Sequence, residues 1–191
     1  PDIYKSEAIL SPSSHEDSLS SKIGGLSTLG SFAGFSMQQQ TLSKSQEAIE
    51  RIKSYEFFSS YFLPQIKLEN IIAVEKWIPE TNTLIYDDRL YLDTSDEWIR
   101  SVDYPKTKIP SNQEAYEIYK EILEIKEDNQ TSFIKLSIKH HSPEVAKNWV
   151  LLIIKQINQI MRNIDIEIAE KSVSYLNQTA ASTNIQSIKE A

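Results

Sequence analysis

The stretch from Ser142 to Ala191 contains no glycine and, after Pro143, no proline. Ser142 is a favourable helix N-cap, and proline suits the first helical position because the N–H that it lacks would have no helical partner there. Glu144 places negative charge near the positive end of the helix dipole. At 1.5 Å per residue such a helix is about 75 Å long, whereas a compact chain of this size has a radius of gyration of about 16 Å. The sequence therefore predicts a long C-terminal helix, residues 142–191, that projects from its domain.

This helix changes character along its length. Between Val145 and Met161 apolar residues lie on nearly every side, a pattern that favours burial. Beyond Lys171 the sequence is rich in Ser, Thr, Asn and Gln, which favour helix only weakly. From Ala169 onward apolar residues recur in steps of four and three, at Ala169, Val173, Leu176 and Ala180. We expect the part before about Arg162 to be anchored in a base domain, and the later part to need another helix or another subunit for support.

The composition is that of a folded protein with a substantial core: 191 residues, of which 40% are hydrophobic and 25% charged. A net charge of −7, with no basic stripe to offset it, argues against nucleic acid as the main partner. The absence of cysteine excludes disulfides and thiol chemistry, and argues against a zinc site of the common kind. The longest purely apolar run, Trp149 to Ile154, is too short to span a bilayer.

Both ends of the sequence lack ordinary boundary signals. The chain begins at Pro1-Asp2 without a methionine and leads directly into a strand-like run. It ends at Ile188 to Ala191 with no glycine or proline to stop the helix. We therefore expect this sequence to be a fragment of a longer protein, which leaves room for membrane segments outside it.

Residues 1–141 carry the patterns of an α+β base domain, in which we predict a mixed β-sheet packed by helices. Ile3 to Leu10 is short, has apolar residues on both faces and stops at Ser11-Pro12, which indicates a strand. Leu123 to Lys126 and Phe133 to His140 indicate a hairpin, because apolar and polar residues alternate along the second arm. Shorter strands are expected around a turn at residues 79–82, at Ile71 to Val74, Leu84 to Tyr86 and Leu90 to Leu92.

Two helices are predicted inside the base domain. Ser43 to Phe62 has apolar residues at helical spacing and is closed by Leu63-Pro64. Its predicted apolar face consists of Ala48, Ile49, Ile52, Tyr55, Phe58 and Phe62. The second helix begins at Ser111, where Glu114 completes a capping box. All four glycines fall between Ile23 and Ser36 without the spacing of a phosphate-binding loop, so we expect a connector there.

The sequence contains little that indicates catalysis. It has three histidines, His15, His140 and His141. Because adjacent strand residues point to opposite faces, the last two cannot bind one metal ion from a strand, and we interpret them as surface or strand-end residues. A glycan hydrolase would need two carboxylates about 5 to 9.5 Å apart across a cleft, but solvated loops explain the acidic clusters better. These clusters are Asp87, Asp88, Asp93, Asp96 and Glu97. We predict that this chain is not an enzyme and that it has no catalytic, cofactor-binding or metal-binding residue.

Several short motifs follow one another along nearly the whole chain. They are Tyr4 to Pro12, the glycine-rich Gly24 to Gly34, the helix Ser45 to Phe62, Trp98 followed by Pro110 to Tyr116, and Asp128 to Trp149. The last is the most specific, since it combines a charged hairpin turn, a strand and the start of the long helix. In their order and spacing these motifs resemble the Wzz-type chain-length determinants, also called polysaccharide co-polymerases, which are inner-membrane proteins of Gram-negative bacteria. The family's two membrane helices, its proline-rich segment and the return after the long helix are missing from this sequence.

The resemblance implies a periplasmic α/β base domain with a long helix rising from it, between two flanking transmembrane helices that this sequence does not include. It implies ring-like homo-oligomers that control the modal chain length of O-antigen or a related lipopolysaccharide. The implied partners are the O-antigen polymerase Wzy and the growing polysaccharide. The family has no agreed catalytic residues, so none is transferred to this chain.

A different class of protein explains the long helix equally well. A coiled-coil-bearing adaptor or scaffold subunit of an envelope export complex would also carry a helix that needs a partner. A full-length protein with one membrane helix before Pro1 and one after the return of the long helix would favour the chain-length determinant.

Overall fold

The computed structural model describes residues 2–11, 43–128 and 130–189, with side chains described as far as residue 179. His15, the loop or short helix expected after Ser11-Pro12 and the glycine-rich connector lie outside the described residues.

The described residues contain both strands and helices, and β1 is separated from the later strands by a run of helical segments. The strands are β1 (Tyr4–Leu10), β2 (Val74–Ile78), β3 (Thr83–Tyr86), β4 (Tyr91–Leu92), β5 (Glu97–Trp98), β6 (Leu123–Glu127) and β7 (Ile134–His140). The α-helices are α1 (Lys44–Lys53), α2 (Tyr55–Phe57), α3 (Leu68–Ile72), α4 (Asn112–Ile122) and α5 (Pro143–Lys189). The predicted α+β class and the predicted long C-terminal helix are both confirmed.

The main sheet has three strands in the order β1-β7-β6. Tyr4 lies opposite His140 and Leu10 lies opposite Ile134, so β1 and β7 are antiparallel, as are β6 and β7. Two small antiparallel pairs, β2-β3 and β4-β5, stand apart from this sheet. A mixed sheet was predicted, but none of the pairings between described residues is parallel. Along β7, Lys135 is exposed between buried neighbours, which confirms the predicted alternation, although Ser137 is buried as well.

The core lies where the first half of α5 meets the sheet and a group of aromatic rings. Helix α5 contacts both β1 and β7, and it buries Ala146, Trp149, Val150, Ile153 and Ile157. The ring of Trp149 lies edge-on to Phe62 at a centroid distance of 5.6 Å, and Phe58 lies 4.9 Å from Tyr119 of α4. The phenolic O–H of Tyr119 donates a hydrogen bond to the carbonyl oxygen of Ile52 over 3.0 Å. The aromatic rings therefore join α1 and α4 to α5.

The helix predicted from Ser43 to Phe62 is interrupted at Ser54. This residue has an extended backbone (φ −72°, ψ 150°), and its hydroxyl accepts a hydrogen bond from the Phe57 amide at 3.1 Å. It therefore ends α1 and caps α2, after which Phe58–Phe62 forms a π-helical turn. The interruption rotates the apolar face, so Phe57 is buried whereas Tyr55, which was predicted on that face, is 41% exposed.

The region between Leu68 and Trp98 differs in part from the prediction. Ile71 and Ile72, which were predicted to begin a strand, belong to α3, and β2 starts only at Val74. The predicted turn and the short strand at Tyr91-Leu92 are confirmed, but β5 was not predicted. The turn ends at Asn82, whose φ of 51° lies in the left-handed region that asparagine tolerates.

A buried ion pair fixes the segment that leads into α4. Arg100, whose side chain is only 10% exposed, places Nη1 at 2.6 Å and Nη2 at 3.0 Å from the two carboxylate oxygens of Glu114. Glu114 also completes the predicted capping box with Ser111, which is confirmed. The hydrogen bond from Arg100 lowers the pKa of Glu114 to about 2. The guanidinium therefore stabilises both the charge on Glu114 and the helix start.

Replacing Arg100 by alanine is expected to lower the free energy of unfolding at pH 7 by about 3 kcal/mol, because it leaves a largely buried carboxylate without its partner. Urea unfolding measures this loss. The pair Arg89–Asp87 provides a matched control, since the Arg89 side chain is 88% exposed and Arg89→Ala should cost no more than about 1 kcal/mol. Equal losses for the two variants would contradict a special role for the buried pair.

Candidate functional site

The outer half of α5 is the most exposed part of the described chain. Ile164 is the last partly buried residue, and every residue from Asp165 to Thr179 is exposed. Asp165 still forms an ion pair with Lys44 of α1, at 2.8 Å. Anchoring therefore ends less than one turn beyond the boundary predicted near Arg162. The predicted projection of the helix from the base agrees with this exposure.

A row of apolar side chains runs along one side of this exposed half. We call it the outer stripe, and it consists of Ile166, Ala169, Val173 and Leu176. The steps of three, four and three residues place its members on one helix face. Ile166, Val173 and Leu176 are 47%, 57% and 46% exposed, which is high for large apolar residues. Ala169, Val173 and Leu176 were predicted as part of such a stripe. Ile166 was not predicted, although it lies three residues before Ala169. The side chain of Ala180, which was also predicted, lies outside the described residues.

Beyond Asp165, hydrogen bonds between neighbouring turns of the helix support this outer half. Lys171 pairs with Glu167 one turn before it, at 2.6 Å. The hydroxyl of Ser172 donates to the carbonyl oxygen of Ile168 over 2.8 Å, and Thr179 bonds to Tyr175 in the same way over 2.9 Å. Such contacts within one helix contribute little to its stability, and a helical segment rich in Ser, Thr, Asn and Gln is marginal alone in water. Covering the outer stripe with another helix would therefore stabilise it.

The start of α5 is fixed by its own N-cap and by polar contacts from the β2–β3 hairpin. The amide of Val145 donates to the hydroxyl of buried Ser142 over 3.3 Å, which confirms the predicted N-cap. The amide nitrogen of Asn82 donates to the carboxylate of Glu144, and its oxygen accepts a hydrogen bond from the indole N–H of Trp77 over 2.8 Å. The turn between β2 and β3 thus holds the first turn of the helix.

His140 is the buried centre of this helix start. The amide N–H of Ser142 donates to Nδ1 of His140 over 2.9 Å, so Nδ1 carries no proton. The proton is therefore on Nε2, which donates to the carbonyl oxygen of Asn70 over 2.9 Å. The ring also packs edge-on against Trp149, with centroids 4.9 Å apart. Burial lowers the pKa of His140, because the charged form would lose water and would place a second proton opposite the Ser142 amide.

The two adjacent histidines have different partners. His141 places Nδ1 at 3.2 Å from the carbonyl oxygen of Asp2, whereas His140 bonds to Asn70 and Ser142. The expectation that they do not share a metal ion agrees with these separate contacts. In the described part of the chain there is no group of three or more metal-binding side chains. The burial of His140 was not predicted, although the alternation along β7 places it on the same face as the buried residues Leu136 and Ile138.

The free energy of unfolding should fall as the pH drops below 6.5. The unfolded chain takes up a proton on His140 near its ordinary pKa of 6.5, whereas the folded chain does so only at the lowered pKa. The contribution of His140 to the free energy of unfolding is therefore complete above pH 6.5, and it is lost as the pH falls toward the lowered pKa of the folded state. Urea unfolding between pH 5 and 7 measures this slope, which His140→Gln should flatten and His141→Gln should leave in place. An unchanged slope in His140→Gln would refute the assignment.

The acidic clusters form local contacts in loops. Asp87 accepts hydrogen bonds from Arg89 Nε and Nη2 at 2.9 and 2.7 Å, which lower its pKa to about 2. Asp96 accepts a hydrogen bond from the hydroxyl of Tyr91 over 2.5 Å, and this bond raises the pKa of Tyr91. The remaining members of the clusters, Asp88, Asp93 and Glu97, are exposed. These contacts fit the solvated loops that the sequence predicts.

Among the described helices, none combines the length and hydropathy that crossing a membrane requires. Comparisons with models of protein families, with curated proteins and with solved structures found no match for this chain.

Proposed function

We propose that this chain is a non-enzymatic regulator of the modal chain length of O-antigen or a related surface polysaccharide, acting as an oligomeric scaffold with the polymerase. The observation that carries the proposal is the exposed outer half of α5 with its apolar outer stripe. It accords with the ordered motifs that resemble the Wzz-type chain-length determinants. A scaffold of this kind has to present a long rigid surface and needs no catalytic group.

The projecting helix has the dimensions of an assembly element. From Asp165 to Lys189 it extends for about 37 Å at 1.5 Å per residue. In a closed homo-oligomer the outer stripe of one copy would pack on a helix of the next, which buries side chains that water otherwise covers. The polymerase and the growing polysaccharide would then meet a ring of parallel helices.

The geometry of the base supports an orientation in which the helices of this ring project away from the membrane. Tyr4 at the start of β1 pairs with His140, immediately before α5 begins. Helix α5 then packs back along β1 and β7 and leaves the base beyond the other end of the sheet, where Leu10 lies. A membrane helix that precedes Tyr4 would therefore lie at the opposite end from the projection. On this proposal the chain is the periplasmic part of an inner-membrane protein.

Deletion of the gene, followed by complementation with the full-length protein, tests the proposal. Gel electrophoresis of the surface polysaccharide should show that the modal band is lost or shifted on deletion and restored on complementation. An adaptor of an export complex would instead lower the total amount and leave the modal length unchanged. Banding that does not change at all would refute both functions.

A further inference from the structure

The loop of residues 101–110, between β5 and α4, exposes two large apolar side chains. Tyr104 is 97% exposed and Ile109 is 63% exposed, which makes Tyr104 the most exposed large apolar residue in the described part of the chain. Lys106 and Lys108 lie between them and are also exposed. The exposed surface of this loop thus combines an aromatic ring, an aliphatic side chain, two lysines and one acidic residue, Asp103, in a protein whose net charge is −7.

The backbone of the same loop is held from the inside. Arg100 donates from Nη2 to the carbonyl oxygen of Thr107 over 2.7 Å, and from Nε to that of Lys108 over 2.8 Å. The hydroxyl of Thr107 donates to the carbonyl oxygen of Ile109 over 2.7 Å. Because Arg100 and Pro110 are buried, both ends of the loop are fixed to the base. The loop therefore presents its side chains outward while three of its carbonyl groups are already hydrogen-bonded.

We propose that the 101–110 loop docks on the headgroup region of an anionic lipid bilayer. Tyrosine rings favour the boundary between water and hydrocarbon, and lysines near a bilayer are attracted to acidic lipids. Backbone carbonyls that are hydrogen-bonded within the protein lower the cost of moving the loop out of water. The inference goes beyond the proposed function and does not depend on it, since any protein held near a membrane could use such a contact.

The same features favour a lipid surface over a protein partner. Lysine is depleted at the centres of protein interfaces, whereas here two lysines lie beside the apolar side chains. Lys106 has one acidic partner nearby, Glu114 at 3.9 Å, and its side chain remains 59% exposed. Both lysines are exposed, and within the loop they outnumber its one acidic residue, Asp103.

The absence of cysteine allows a site-specific test. Exposed Ser101 is replaced by cysteine and labelled with an environment-sensitive fluorophore, and exposed Ser174 on α5 is labelled as the control. Vesicles of phosphatidylcholine with phosphatidylglycerol should shift the emission of the label at position 101 to shorter wavelength and leave that at position 174 unchanged. Vesicles of phosphatidylcholine alone should produce a smaller shift. No shift at position 101, or equal shifts at both positions, would overturn the proposal.

Surface variants separate the apolar from the electrostatic contribution. In co-sedimentation with the anionic vesicles, Tyr104→Ser/Ile109→Ser should weaken binding by about tenfold, since the apolar area that enters the bilayer is lost. Lys106→Ala and Lys108→Ala should each weaken it by about fivefold. Tyr175→Ser, which removes a tyrosine that is 61% exposed on α5, should have no effect. Binding that the loop variants leave unchanged would contradict the proposal, and circular dichroism would verify that all variants are folded.

Discussion

Replacing Trp149 by alanine is expected to lower the free energy of unfolding by about 3–5 kcal/mol. The indole is 4% exposed and lies between Phe62 and His140, at ring-centroid distances of 5.6 and 4.9 Å. Alanine would leave a cavity at the point where α5 meets the aromatic core and the buried histidine. Because domains are stable by only about 5–15 kcal/mol, the variant should be close to unfolding at 37 °C.

Tyr175→Ala is the matched control for this experiment. It removes an aromatic ring from the same helix, but from a position that is 61% exposed, and should change the stability by no more than about 0.5 kcal/mol. Urea unfolding followed by circular dichroism gives both values. If the two substitutions cost the same, α5 is not anchored through Trp149 as described.

The second large effect concerns association of the outer stripe. In the full-length protein, which we propose to be anchored in the inner membrane, Val173→Asp/Leu176→Asp should weaken contact between neighbouring copies by about a hundredfold, or about 2.7 kcal/mol. Burial of one such side chain contributes about 1.5–3 kcal/mol, and each new carboxylate would have to lose water in the interface. Chemical cross-linking in membranes should therefore yield oligomers with the wild type and monomers with the variant.

A control variant separates the stripe from added charge. Ser174→Asp/Gln178→Asp adds the same two negative charges to exposed positions away from the outer stripe. We expect it to cross-link as the wild type does. Cross-linked oligomers of the stripe variant at wild-type yield would show that the outer stripe is not the contact between copies.

Features with strong local signals could be predicted from the sequence. The start of α5 was predicted from Ser142 and Pro143, and the start of α4 from the capping box of Ser111 and Glu114. Alternation along β7 predicted the buried face of the hairpin. In each of these cases residues within a few positions supply the hydrogen bonds or the periodicity, so the rest of the fold is not needed to recognise them.

Features that depend on distant contacts could not be predicted in this way. The sequence predicts an ordinary helical residue at Ser54. Its extended backbone interrupts the helix, so that Phe57 is buried in place of Tyr55. The partner of His140 could not be predicted, because Asn70, which is 70 residues away in sequence, supplies its hydrogen-bond acceptor. The hydrogen bonds from Arg100 to the 101–110 loop likewise join residues that show no periodic pattern in the sequence. These contacts follow from tertiary packing, which overrides local preference.

We propose that the exposed helix of this chain sets the modal length of a surface polysaccharide by holding copies together. The most direct measurement is gel electrophoresis of the polysaccharide from a deletion strain that expresses full-length Val173→Asp/Leu176→Asp at wild-type levels. We expect loss or shift of the modal band with this variant, and normal banding with Ser174→Asp/Gln178→Asp. A normal modal band with the stripe variant would contradict the proposal.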